Sequence, residues 1–231
     1  MNIFKHSLSV IRHAALSLAL LTAAFLVFEP AIGFGATATS QFTISQQVTS
    51  EISFATPASN VVMSPALGGI TGGTANGHTT VVVTTNSLTG YSMTIQASSS
   101  LGMIGNASST NYIPAYAVAA TGTPDFAFTV PANAARFGYT VDASTTTDVD
   151  PRFHYNGSNI CNQTTADSVD GQHCWIAATT TQLQIVNRTI PTLSTGATTS
   201  LYFRVQIASN PSPALPNDTY VATTTLTATA S

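Results

Sequence analysis

Acids, imidazoles and thiols gather in one stretch of this chain, where Asp148, Asp150, Asp167 and Asp170 stand among His154, His173, Cys161 and Cys174. Carboxylates at this density in an extracellular loop are the donors that calcium takes. Their Asp-x-Asp-Pro spacing does not follow an EF-hand loop, so turn-starting acids are the first reading and a calcium site at Asp148, Asp150, Asp167 and Asp170 the second. A thiol and imidazole metal site would need His154, Cys161, His173 and Cys174 together. Neighbours such as His173 and Cys174 point apart in a strand, and no Cys-x-x-Cys pair supports them. Two cysteines with twelve residues between them, in a chain read below as exported, form a disulfide on the simplest account. The aromatics nearby, Tyr139, Phe153, Tyr155 and Trp175, would make a sugar-stacking platform if they shared one exposed face. Trp175 also follows Cys174 directly, and packing on the disulfide is the competing use of its ring.

Other chemistries lack their residues. The glycines between Gly68 and Gly77 lead to no Gly-Lys-Ser/Thr, and from residue 39 onward the chain has no lysine with which to build a phosphate loop. Gly-x-Ser-x-Gly is absent, although serines, His78, His154 and His173 are present. Glu51 is the one glutamate beyond residue 38, which is poor supply for a glycosidase pair. No catalytic residue and no cofactor are therefore expected. Beyond residue 38 four arginines face eight acids, a net charge of −4, so the clustered cations that displace counterions from nucleic acid are missing.

What positions these residues begins with an N-terminal export pattern. Lys5, Arg12 and His13 precede an apolar stretch from Ala14 to Phe28, and Ala36-Thr37-Ala38 offers small residues for cleavage. This stretch of fifteen residues, broken only by Ser17 and Thr22, falls short of the roughly 20 of a membrane-spanning helix, so a cleaved signal peptide over 1–38 is expected, and membrane contact only through that segment if it stays uncleaved. The expected location is extracellular or at the cell surface. Residues 39–231 make one domain of adequate size for its own core.

Within that domain the apolar pattern has period two. Tyr91, Met93, Ile95 and Ala97 alternate with polar residues, as do Leu201, Phe203, Val205 and Ile207; near the end, Leu226 and Ala228 oppose a ladder of Thr223, Thr225, Thr227 and Thr229. Further strands are expected at 42–44, 51–55, 60–63, 79–85, 125–130, 136–141 and 175–178, with turns at Asn76-Gly77, Thr89-Gly90 and Pro216-Asn217-Asp218, among others. Alternation fades over 101–123 and 142–172, which read as loop-rich. The pattern predicts an all-β chain, an antiparallel two-sheet sandwich carrying a long loop-rich insertion, behind an N-terminal signal helix.

Two segments carry a resemblance: Val82-Val83-Thr84-Thr85-Asn86-Ser87-Leu88-Thr89-Gly90-Tyr91-Ser92-Met93-Thr94-Ile95, and the stretch from Asn217 to Ala230. They resemble the V-x-T-N-x-x-x-G-Y-x-L-x-I strand pair and the closing G-x-Y-x-A strand of secreted Ig-like surface proteins of bacteria, similar in outline to WxL-type and spore-coat-U-type proteins. Trp175 is followed by Ile176-Ala177 rather than the W-x-L pattern, and Asn217-Asp218 stands where the closing motif has glycine. The resemblance implies an Ig-like sandwich at the cell surface and carries over no catalytic residue. The expected function is a non-enzymatic structural or adhesive envelope protein, joined to envelope components or to itself through strand edges, with 41–50 and the strand from Thr219 as donor or acceptor. The alternative is a module binding carbohydrate or an envelope polymer through the aromatic and acidic loops.

Overall fold

The computed structural model describes residues 38–164 and 167–231. The expected signal helix lies outside the described residues. A compact unit runs from Val48 to Ser231, so the folded body begins later than residue 39; residues 38–47 belong to a separate unit, carry no strand and are exposed.

The body is all-β. Ten strands follow in order: β1 Ile52–Thr56, β2 Gly73–Thr85, β3 Tyr91–Ala97, β4 Met103–Gly105, β5 Tyr112–Ile113, β6 Ala135–Ala143, β7 Leu183–Arg188, β8 Ala197–Ile207, β9 Tyr220–Val221 and β10 Thr224–Ala230. They form three antiparallel sheets, ordered β1-β2-β8-β6, β10-β3-β7 and β5-β4-β9. The longest pairing is β2 with β8, in unbroken register from Gly73↔Ile207 to Val83↔Ala197. Among the described residues no helix is long and apolar enough to cross a membrane.

Alternation dictates where the core lies. Every second residue of β8 from Ala197 to Ile207 is buried, and the intervening Thr198, Ser200, Tyr202, Arg204 and Gln206 are half-buried. In β3, Tyr91, Met93, Ile95 and Ala97 are buried in the same way. Val81, Val83, Tyr139, Val141, Leu201 and Phe203 of the four-stranded sheet meet Tyr91, Met93, Ile95 and Ile185 of the three-stranded sheet in one cluster. Such apolar burial is the main favourable term in folding.

The four-stranded sheet is covered on its other face too. Tyr116, Phe128, Trp175 and Ala177 form a second cluster against Tyr202. This layer comes from segments outside the strands, and Gly138 of β6 admits it. A Cβ there would lie 2.9 Å from Tyr116 Cβ and 3.1 Å from Phe128 Cε2.

Several expected strands are absent for reasons this layering supplies. Residues 60–63 are not a strand; Val61 and Met63 pack over Gly77, where a Cβ would collide with Val61. Asn76-Gly77 is accordingly no turn but the interior of β2. Residues 125–130 and 175–178 contribute only the bridges Asp125↔Trp175 and Tyr139↔Ile176, and Phe128 and Trp175 pack onto a sheet face. Residues 42–44 form no strand either. Conversely, β4 and β5 stand within the stretch read as loop, and β7 is an additional strand.

Candidate functional site

Cys161 and Cys174 are joined in a disulfide with Cα atoms 5.7 Å apart. Cys174 has φ 61°, a left-handed conformation uncommon outside glycine and asparagine, so the chain turns sharply between His173 and Trp175. His173 remains in the outer loop, stacked on Phe126 at 4.1 Å, while Trp175 enters the second cluster edge-on to Phe128 at 5.3 Å. Its indole N–H donates to Gln172 O at 2.7 Å.

The expected aromatic platform is not an exposed surface. Trp175, Tyr139 and Phe153 are each 1 % exposed, and Tyr155 is half-buried against Phe126 and His173. Tyr139 and Phe153 belong to the main core, Trp175 to the outer cluster, so the rings do not share a face. The sheet needed covering on both sides, and these rings supply the cover.

The acids disperse in the same manner. Asp148 bonds Arg188 in a nearly buried ion pair, and Asp150 accepts from Arg152 Nε at 2.8 Å. Asp167 accepts from the Thr164 N–H at 3.2 Å. Asp170 accepts from Tyr155 Oη at 3.0 Å, from His173 Nδ1 at 2.9 Å and from the N–H groups of Gln172 and His173. Burial pushes the Asp170 carboxyl up, but the Gln172 N–H, His173 and Tyr155 together outweigh it and hold the carboxyl below its usual range. Among the described residues no three of His, Cys, Asp and Glu converge as metal ligands. Each of the four aspartates instead satisfies local donors.

Two buried tyrosines carry hydroxyls without hydrogen-bond partners, Tyr91 and Tyr139. Burial raises the Tyr91 phenol to about 12, with the Asp148 charge adding and Arg188 opposing; Thr199 lies alongside without completing a hydrogen bond. Burial raises Tyr139 as well, with Arg152 opposing. Neither faces solvent, as a catalytic phenol would need.

A shallow polar groove, not foreseen from the sequence, lies on the outer face of the four-stranded sheet between Asn76, His78, Asp142, Gln172, Tyr202 and Arg204. Its side chains are largely engaged with one another. His78 stacks on Tyr202 at 5.5 Å, Arg204 Nε donates to Asn76 Oδ1 at 2.7 Å, and the same guanidinium lies 4.4 Å from the Trp175 ring centre. The alternation of Tyr202 and Arg204 on the polar face of β8 was the signal available for it.

The sheet edges differ most. The β6 edge is capped by Pro114–Tyr116 and Ile176: the Phe137 N–H donates to Pro114 O at 2.9 Å, and Tyr139 and Ile176 exchange bonds of 2.8 and 2.9 Å. The β7 edge is capped by Val149 and Asp150, whose N–H donates to Ile185 O at 3.0 Å, and by Arg152 Nη2 on Gln184 O at 3.2 Å. Among the described residues β1 and β10 each pair on one side alone, β1 with β2 and β10 with β3, and lie beside one another; β5 and β9 likewise end their sheet. Bare edges of this kind are templates for another strand. Comparison with protein-family models gave no match, and comparison with curated proteins gave none.

Proposed function

We propose that this chain is an exported, non-enzymatic structural or adhesive protein of a bacterial cell envelope, built as an Ig-like β-sandwich and joined to its neighbours through strand edges. The observation that carries the reading is the unequal treatment of the edges. Those of β6 and β7 are hydrogen-bonded to covering segments, whereas among the described residues β1 and β10 each have a strand partner on one side alone. The disulfide supports export, because such bonds persist in oxidising compartments and are rare in the cytosol. The N-terminal basic and apolar pattern supports it independently. Resemblance of 82–95 and 217–230 to secreted Ig-like surface proteins agrees with both. From residue 39 onward the chain is rich in hydroxyls and free of lysine, which suits a structural role, since solubility comes from threonine and serine rather than from a field that would attract charged ligands.

The test is to express the whole chain in a bacterial host, separate cytosol from exported fractions, and block free thiols before electrophoresis. The expected result is an exported protein whose two cysteines resist alkylation until reduced. Protein held in the cytosol with both thiols free would overturn the reading.

A further inference from the structure

We infer that the shallow groove on the outer face of the four-stranded sheet is a binding site for an uncharged hexose oligosaccharide, held by Arg204, Asp142 and Gln172 around the stacked rings of His78 and Tyr202. The inference goes beyond the strand-edge reading and uses none of its surfaces, so either can fail alone.

Charge pairing sets this groove apart from the rest of the body. Among the described residues Arg188 is paired with Asp148, Arg152 with Asp150, and Asp170 is engaged by His173. Arg204 and Asp142 both line the groove, both are half-buried, and neither belongs to an ion pair among the described residues. Burial lowers the Arg204 guanidinium from its ordinary value, with no carboxylate to offset it. Burial likewise pushes the Asp142 carboxyl up, opposed by the Ala143 N–H and reinforced by the Asp170 charge. Two opposite charges, half-desolvated and held apart on one surface, are completed by a ligand that reaches both.

Strand register explains their separation. Arg204, Tyr202 and Ser200 follow one another along the outer face of β8; β2 sets Asn76 beside Arg204 and His78 beside Tyr202, and β6 sets Asp142 beside Ser200. The guanidinium and the carboxylate therefore stand four strand residues apart, roughly 13 Å at ~3.3 Å per residue, with the rings at the midpoint. The guanidinium is aimed: its Nε–H donates to Asn76 Oδ1 at 2.7 Å and it lies 4.4 Å from the Trp175 ring centre, which leaves both terminal amino groups without partners among the described residues. Tyr202 is fixed between Gly171, where a Cβ would come within 2.4 Å of its ring, and the exposed His78 imidazole. The Gln172 side chain is exposed at the rim.

The chemistry of these groups selects the ligand. Main-chain groups here are consumed by the β2–β8 and β6–β8 ladders, so an extended peptide would find no backbone partners. Recognition falls to side chains. A guanidinium and a carboxamide supply fixed planar donors and a carboxylate supplies acceptors, which together match vicinal hydroxyls that both donate and accept. Between them the ring pair meets the apolar C–H face of a pyranose. One guanidinium against the carboxylates of Asp142 and Asp170 leaves the groove net negative, which disfavours uronate and phosphate polymers. The distance between Arg204 and Asp142 exceeds one sugar ring, so the ligand is an oligomer. The groove volume, about 560 Å³, falls within the ~300–1,000 Å³ of small-ligand sites.

The test titrates the exported full chain with maltohexaose, cellohexaose and mannohexaose, and with hexagalacturonate as the charged comparison, by calorimetry and by amide NMR shifts. At least one uncharged hexamer should bind and shift the amides of residues 76–78 and 202–204, with hexagalacturonate at least 10-fold weaker. His78→Ala, Gln172→Ala and Asp142→Asn should each weaken binding by roughly 10-fold while the urea midpoint stays in place. His78 and Gln172 are exposed, so those two variants report on binding even if Asp142→Asn alters the fold. Thr227→Ala, on the other sheet, should bind as wild type does. The inference is overturned if none of the three uncharged hexamers binds, if hexagalacturonate binds best, or if a hexamer binds and His78→Ala and Gln172→Ala both keep full affinity.

Discussion

The Tyr139 hydroxyl is buried in the core with no partner, a cost that most buried polar groups avoid. Tyr139→Phe removes that atom without leaving another group orphaned, so we expect stability unchanged or raised by up to about 1 kcal/mol, measured by urea unfolding. Asp170 makes the opposite case. Its carboxyl is depressed by donors present only in the fold, so its contribution is complete above the unfolded value of about 3.9 and disappears as pH falls through the lower folded value. Comparing Asp170→Asn with wild type between pH 6 and 2 should show a difference that narrows on acidification; a constant gap would reject the assignment. Pairing of Cys161 with Cys174 was legible in the sequence, because redox compartment and count leave one simple partner. The fate of Trp175 and Tyr139 was not. Alternation says that a ring sits on a face, and only the covering segment decides whether that face meets solvent.

Among the elements, β3, β8 and β10 were readable from period-two alternation, since each has one face on the core and polar residues on the other. β2 begins at Gly73, six residues before the strand that the sequence marks at 79–85. Its first half contains Gly73 and Asn76-Gly77, residues that punctuate turns in most contexts, but Gly77 is required by the approach of Val61 and Met63. Gly77→Ala should therefore destabilise by about 1–3 kcal/mol through overpacking. Adding Val61→Ala should recover part of that loss, and strict additivity in the double variant would show that the two positions do not touch. β7 is not legible from alternation because its burial does not alternate: the adjacent Ile185 and Val186 are both buried in the main core. The candidate edges were legible as strands but not as edges. Edge status follows from sheet order, which depends on pairings between residues more than a hundred positions apart, such as Leu226 with Ile95.

At the scale of the molecule, the disulfide ties the 155–174 region to the layer that covers the four-stranded sheet. Replacing both cysteines with serine should lower stability by about 3 kcal/mol on the chain-entropy account, visible as a lower urea midpoint with little change in far-ultraviolet circular dichroism. The all-β class followed from composition and alternation together. The double-sided cover of one sheet did not, because stretches rich in Asn, Ser and Asp read as loops whether they hang free or lie flat on a sheet.

From residue 39 onward the chain has no lysine, and its four arginines are all withdrawn: Arg188 is buried against Asp148, Arg152 is held by Asp150, Arg204 lies over Trp175, and Arg136 is half-buried on β6. A digestive enzyme that cuts after basic residues needs such a side chain in an extended, accessible loop, and residues 48–231 present none among those described. A trypsin-like enzyme would thus meet a body that yields to it only when it opens. Its digestion rate becomes a direct readout of that opening.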